Sequence, residues 1–98
     1  MPHTFSSSVV GVSFRGAQVR EVVKNQLNVG DQLQLVADPE NEYDDTAVAV
    51  YYDDLHIGFI PRGENQQLFK ALTEGGEAFA EITMFENSIK PLVDVTIL

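Results

Sequence analysis

The stretch from Thr46 to Pro61 constrains the fold more than any other part of the chain. Thr46-Ala47-Val48-Ala49-Val50-Tyr51-Tyr52 is a β-branched and aromatic run, and Leu55-His56-Ile57-Gly58-Phe59-Ile60 is a second one, closed by Pro61. Only Asp53-Asp54 lies between them. Two such runs across a short polar break predict an antiparallel β-hairpin. The break lacks the glycine that tight turns favour, which predicts a loop longer than two residues.

The flanking sequence supplies partners for that hairpin. Leu33, Leu35 and Ala37 alternate with Gln32, Gln34 and Val36, the period of a half-buried strand. Val9-Val10-Gly11-Val12-Ser13-Phe14 reads as an earlier strand. Between these two, Val19, Val22, Val23, Gln26 and Leu27 follow helical spacing and predict a helix from about Ala17 to Leu27. The turn Asn28-Val29-Gly30-Asp31 follows it, with Gly30 suited to a positive φ. Asp38-Pro39-Glu40-Asn41-Glu42 is rich in turn formers. A second helix is expected from about Glu64 to Glu74, with Leu68, Phe69 and Leu72 facing the core and Gly75-Gly76 as its stop. Glu77 to Phe85 and Pro91 to Leu98 are the last two strands. The resulting fold class is mainly β with two helices, arranged as a small barrel or strongly curled sheet of about six strands.

Ninety-eight residues make one domain. Met1 to Ser8 are small and polar, with neither a basic nor an apolar block, so they are expected as a flexible arm ahead of a domain spanning residues 9–98. His3 belongs to that arm. No apolar run approaches the ~20 residues a spanning helix needs, which predicts no membrane association of that kind. The chain has no cysteine. That excludes disulfides, thiolate metal sites and a cysteine nucleophile within it, and fits a reducing, cytoplasmic setting.

Fifteen acidic against six basic side chains give a net charge of −9. The acids are concentrated: Asp38, Glu40, Glu42, Asp44 and Asp45 lie close together, and Asp53 and Asp54 follow. Such a field repels nucleic acid at long range, so any contact with DNA has to be local and geometric.

Catalysis finds few residues to rest on. There is no Gly-x-Ser-x-Gly, and Ser6-Ser7-Ser8 falls in the expected arm. Gly75-Gly76 lacks the lysine and hydroxyl residue of a phosphate loop. Counted from Asp38, a calcium loop would need glycine at Tyr43 and glutamate at Ala49, and has neither. His56 alternates with Ile57 and is expected on a strand surface. The expectation is a non-enzyme with no metal and no cofactor. Asn41-Glu42-Tyr43-Asp44-Asp45-Thr46-Ala47-Val48 is the least ordinary string. On residues alone it reads first as structure: Tyr43 packing over a sheet edge, Asp44 accepting backbone N–H groups in an Asx-type turn.

The order of these pieces resembles a HIRAN domain. Val9-Val10-Gly11-Val12 leads to an aromatic residue, a Gly-Asp turn enters Leu33-Gln34-Leu35, and two specific strings follow. In the family these are Asn-Pro-Tyr-Asp-x-Asn-Ala-Ile/Val, and then Gly, an aromatic or His, a hydrophobic residue, Pro or Lys, and a basic residue. Here they are Asn41 to Val48 and Gly58-Phe59-Ile60-Pro61-Arg62. Glu42 replaces the usual Pro and Thr46 the usual Asn. The resemblance, to a stand-alone bacterial-type member, implies an OB-like or SH3-like β-barrel and a module that grips the 3′ end of single-stranded DNA in replication or repair. It implies Tyr43 and Phe14 as stacking platforms, Asp44 as acceptor for the 3′-hydroxyl, and Phe59 in place of a frequent His. Arg62 would hold a phosphate, with Arg15 as the second local cation, and Phe85 matches a further aromatic. Ser13 stands where a helicase-like member has an Arg, which removes one backbone contact. A helicase or other repair protein acting in trans is the implied protein partner.

A base stacked on an aromatic ring is worth ~1–3 kcal/mol whatever its sequence. A carboxylate beside a terminal sugar accepts from a free hydroxyl and repels the phosphate of a continuing strand, so it distinguishes an end from an interior. The competing reading is a protein–protein interaction module that keeps the fold without DNA affinity, and the charge of −9 and Ser13 favour it. The site expectation is specific: Phe14, Tyr43, Phe59 and Arg62 converge on one concave surface.

Overall fold

The computed structural model describes residues 2–98, and Met1 of the expected arm lies outside them. Six strands and two helices are present: β1 (His3–Ser8), α1 (Ala17–Asn25), β2 (Gln32–Ala37), β3 (Val48–Tyr52), β4 (Leu55–Phe59), α2 (Gln66–Thr73), β5 (Ala78–Asn87) and β6 (Lys90–Ile97). A short 3-10 turn, Val12–Phe14, precedes α1. The strands form one sheet in the order β1-β6-β5-β2-β3-β4. Every neighbouring pair is antiparallel.

The expected barrel is not what forms. The sheet is open, with β1 and β4 at its edges, and no ladder joins them. The segment after β1 touches β4 through one isolated bridge, Val10 with Phe59, made by Val10 N–H to Phe59 O at 2.8 Å and Phe59 N–H to Val10 O at 2.9 Å. Gly11 then takes φ 80° and turns the chain into the 3-10 segment, so the pairing ends after a single residue pair. The same turn corrects the reading of Val9 to Phe14 as a strand. Residues 3–8 are in turn an edge strand, not a solvated arm. They pair with β6 from His3 opposite Ile97 to Ser8 opposite Leu92.

The β3–β4 hairpin is tighter than expected. Tyr52 pairs with Leu55, leaving a two-residue loop. Asp53 itself takes φ 52°, the left-handed conformation that glycine usually supplies and that Asp tolerates better than most residues.

Alternation in β2 buries Leu33 and Leu35, and Val48, Val50, Ile57, Ile82, Val93 and Val95 join them in the core. Val19 and Val23 of α1 and Leu68 of α2 belong to the same core. Both helices are shorter than predicted. Helix α2 stops in a Schellman arrangement: Gly76 N–H reaches Ala71 O at 2.8 Å, and Gly75, at φ 88°, donates to Leu72 O at 3.4 Å.

Candidate nucleic-acid interface

The loop between β2 and β3 is built by its own polar side chains. Asn41 Oδ1 accepts the N–H groups of Tyr43 (2.9 Å) and Asp44 (3.1 Å), and its amide donates to Asp38 Oδ2 at 3.2 Å. Asp44 Oδ1 accepts from the Thr46 N–H (3.0 Å) and from the Thr46 hydroxyl (3.1 Å). Asp44 Oδ2 accepts from the Asn65 amide at 2.8 Å, and the Thr46 hydroxyl also approaches Asn65 Oδ1 at 2.9 Å. Asn65 is the one fully buried polar side chain among the described residues, at 0% exposure. It stands at the start of α2 without making a side-chain cap, because its amide is engaged in this network.

The Asx-type turn expected at Asp44 is therefore present, and the expected packing of Tyr43 is not. With its backbone held by Asn41, Tyr43 projects into solvent at 82% exposure. Such a ring adds nothing to the core and costs apolar exposure. Beneath it is a cleft of about 310 Å³ lined by Val10, Asn41, Tyr43, Asp44, Ala47, Phe59, Ile60 and Arg62. A more polar recess of about 290 Å³ shares Tyr43, Asp44 and Arg62, and adds Glu42, Asp45, Thr46 and Gln66.

The Asp44 carboxyl sits below its ordinary pKa. Burial pushes it up, but the Thr46 N–H, the Asn65 amide, the Thr46 hydroxyl and the nearby Arg62 charge together outweigh that. The group is a carboxylate at neutral pH, with Oδ2 receiving a single bond. An ionised carboxylate oxygen has two lone pairs, so Oδ2 can take a second donor from the cleft.

Of the residues singled out in the sequence, Tyr43, Asp44, Phe59 and Arg62 line this one cleft. Phe14 does not line it; it stands at 90% exposure in the 3-10 turn that follows Gly11. Arg15 is also outside, its Nε donating to His56 O at 3.3 Å. Phe85 lies on β5 opposite Pro91 and packs partly against the core, away from the cleft. The four-residue convergence expected with Phe14 is met by three of its members, with Asp44 added. Asn41, Thr46 and Asn65 are the residues the sequence reading did not assign to the site. An Asn just ahead of a helix reads as an N-cap, and only the fold brings it under Asp44. Ser13 receives Arg20 Nη1 on its carbonyl at 3.0 Å.

No curated protein sequence matches the chain. Two solved structures share its fold. One is a crystal structure of a protein from Lactobacillus plantarum, with a TM-score of 0.84 at 20% identity, covering 99% of this chain and 97% of that one. The other is the crystal structure of the HIRAN domain of human HLTF, with a TM-score of 0.76 at 16% identity, covering 96% of this chain and 74% of that one. At these identities the structures establish the shared fold. The HIRAN domain family profile matches residues 2–96, and on that match the chain belongs to the HIRAN family.

Proposed function

We propose that this domain is a non-catalytic module that binds the 3′-hydroxyl end of single-stranded DNA. The observation that carries the reading is the pairing, in one cleft, of a solvent-projecting tyrosine with a carboxylate whose orientation is fixed by the fold. Tyr43 and Phe59 offer π-surface to a terminal base. Asp44 Oδ2 accepts from the 3′-hydroxyl, and Arg62 meets the nearest phosphate. A strand that continues past that position would bring phosphate against Asp44, which selects the end. Phe14 and Arg15 lie outside the cleft and take no part in gripping the terminal nucleotide. In a cell such a module would present strand ends to a helicase or other repair protein in trans.

Binding is expected to be micromolar or weaker at low salt, because the net charge of −9 opposes it. Its salt dependence should be shallow, since one or two phosphates are neutralised. The test is a titration of labelled single-stranded DNA ending in a 3′-hydroxyl or a 3′-phosphate, with preference for the hydroxyl expected. Equal affinity for the two ends would remove Asp44 from the role assigned to it. Tyr43→Ala should cost ~1–3 kcal/mol of binding. It should leave the urea midpoint unchanged, because the ring is not packed. A large shift of that midpoint would show that Tyr43 is structural.

The acidic charge favours a second reading, a protein-interaction module without DNA affinity. No binding of any oligonucleotide at low salt would put that reading first.

A further inference from the structure

We infer that the aromatic strip Phe59–His56–Tyr51, with Arg15 beside it, carries the strand onward from the cleft as a second stacking station for the nucleotides preceding the terminal ones. The inference rests on the 3′-end reading above and extends it to residues outside the cleft.

The strip exists because of an irregularity in the hairpin. His56 and Phe59 are three residues apart, a spacing that regular alternation places on opposite faces of a sheet. The register of β3 with β4 shifts between Val50 and Tyr51, so that Ala49 pairs with Phe59 and Tyr51 with His56. A bulge of this kind re-aims side chains. Here it puts the His56 ring 4.8 Å from Phe59, edge to face, and 5.0 Å from Tyr51, stacked at 19°. Phe59 is the shared member: it lines the cleft and begins the strip.

Core packing does not account for these rings. Val50 and Ile57, their neighbours in sequence, are at 0% exposure, whereas Tyr51, His56 and Phe59 are each only partly buried. The imidazole is also immobilised. Its Nε2 lies 2.9 Å from Gly58 O, a group that can only accept, so Nε2 carries the proton. Burial and the positive Arg15 hold the ring's pKa below the ordinary histidine value, against the opposing Gly58 bond and the Asp38 charge, so the ring is neutral at neutral pH. A fixed, neutral, partly buried aromatic ladder suits base stacking, which tolerates any sequence.

Charge identifies the occupant. Arg15 is anchored through Nε to the His56 carbonyl, which leaves its terminal nitrogens for a phosphate. The one ion pair among the described residues is Lys90 with Glu86, so no carboxylate neutralises Arg15. Asp38, the acid felt by His56, is tied back by the Asn41 amide. A base-stacking strip that starts in the cleft and has a cation at its side fits the same strand, running away from its 3′ end.

The test is a length series of oligothymidylates with 3′-hydroxyl ends, from about two to about eight nucleotides, titrated at low salt by fluorescence anisotropy. Wild-type protein should gain about tenfold in affinity as the strand grows past the length that fills the cleft. Tyr51→Leu, which keeps apolar bulk and removes the ring, should lose most of that gain while binding the shortest oligonucleotide as wild type does. Arg15→Gln, at an exposed position that cannot disturb the core, should lose part of it in the same way. A gain that survives both substitutions, or no gain with length in wild type, overturns the strip while the end-binding cleft stands. Failure of every length to bind overturns both.

Discussion

Gly58→Ala is expected to destabilise the fold by about 3 kcal/mol, at the upper end of what overpacking a tight site costs. A Cβ at position 58 would lie 2.5 Å from Val10 O and 2.7 Å from Val9 Cγ1. Neither neighbour is free to yield. Val10 is held by both hydrogen bonds of its bridge to Phe59, and Val9 is fully buried. Backbone strain plays no part, because Gly58 does not have a positive φ and an alanine could adopt its conformation. The relief available is to lift residues 9–12 off β4, which withdraws Val9 and Val12 from the core and Val10 from the cleft wall. Loss of urea stability should therefore accompany loss of oligonucleotide binding. A variant within ~0.5 kcal/mol of wild type, the range of neutral surface changes, would show that the bridge is not seated as described.

That bridge also marks where the sequence stops being legible. The hairpin from Thr46 to Ile60 and the alternation of Leu33 and Leu35 are local patterns, and local patterns can be read from local sequence. Whether β1 and β4 close into a barrel depends on Gly11 turning the chain away at φ 80°, a tertiary event with no periodic signature. Thr4 and Ser6 to Ser8 hid a strand because an edge strand with an exposed face needs few apolar residues. The hairpin bulge was invisible for a related reason. Alternation put His56 opposite Ile57 correctly, yet could not bring it beside Phe59. In the site, the Tyr43-Asp44 string stood out by resemblance, while residues alone suggested only a turn. Both descriptions apply, because the turn is what holds Asp44. Asn65 lies twenty-one positions from Asp44, and its part in the site follows only from their 2.8 Å bond.

Asn65→Leu is the substitution that separates a buried polar network from ordinary packing, and it should cost about 3 kcal/mol. Leucine keeps the branched shape of the side chain, but its methyl groups are bulkier than the amide oxygen and nitrogen, so overpacking at this fully buried position contributes a part of the cost that does not depend on pH. The helix cap is unaffected, because the Asn65 side chain makes no capping bond and its backbone carbonyl still accepts Phe69 N–H at 2.8 Å. What goes is the 2.8 Å bond to Asp44 Oδ2 and the acceptor facing Thr46 Oγ1 at 2.9 Å. A carboxylate left short of a donor next to an apolar group pays for its desolvation. The pH dependence identifies the cause. The Asp44 pKa in the folded protein lies below the ordinary value of 3.8, so its stabilisation is present in full above 3.8 and fades as pH falls through the lower, folded value. Removing Asn65 takes away one of the bonds that lower it. The stability gap between wild type and Asn65→Leu should accordingly be widest near neutral pH and narrow as Asp44 becomes protonated, measured by urea unfolding across that acid range. A gap of constant size from neutral to acid would assign the loss to packing and take Asn65 out of the machinery that keeps Asp44 ionised and aimed into the cleft.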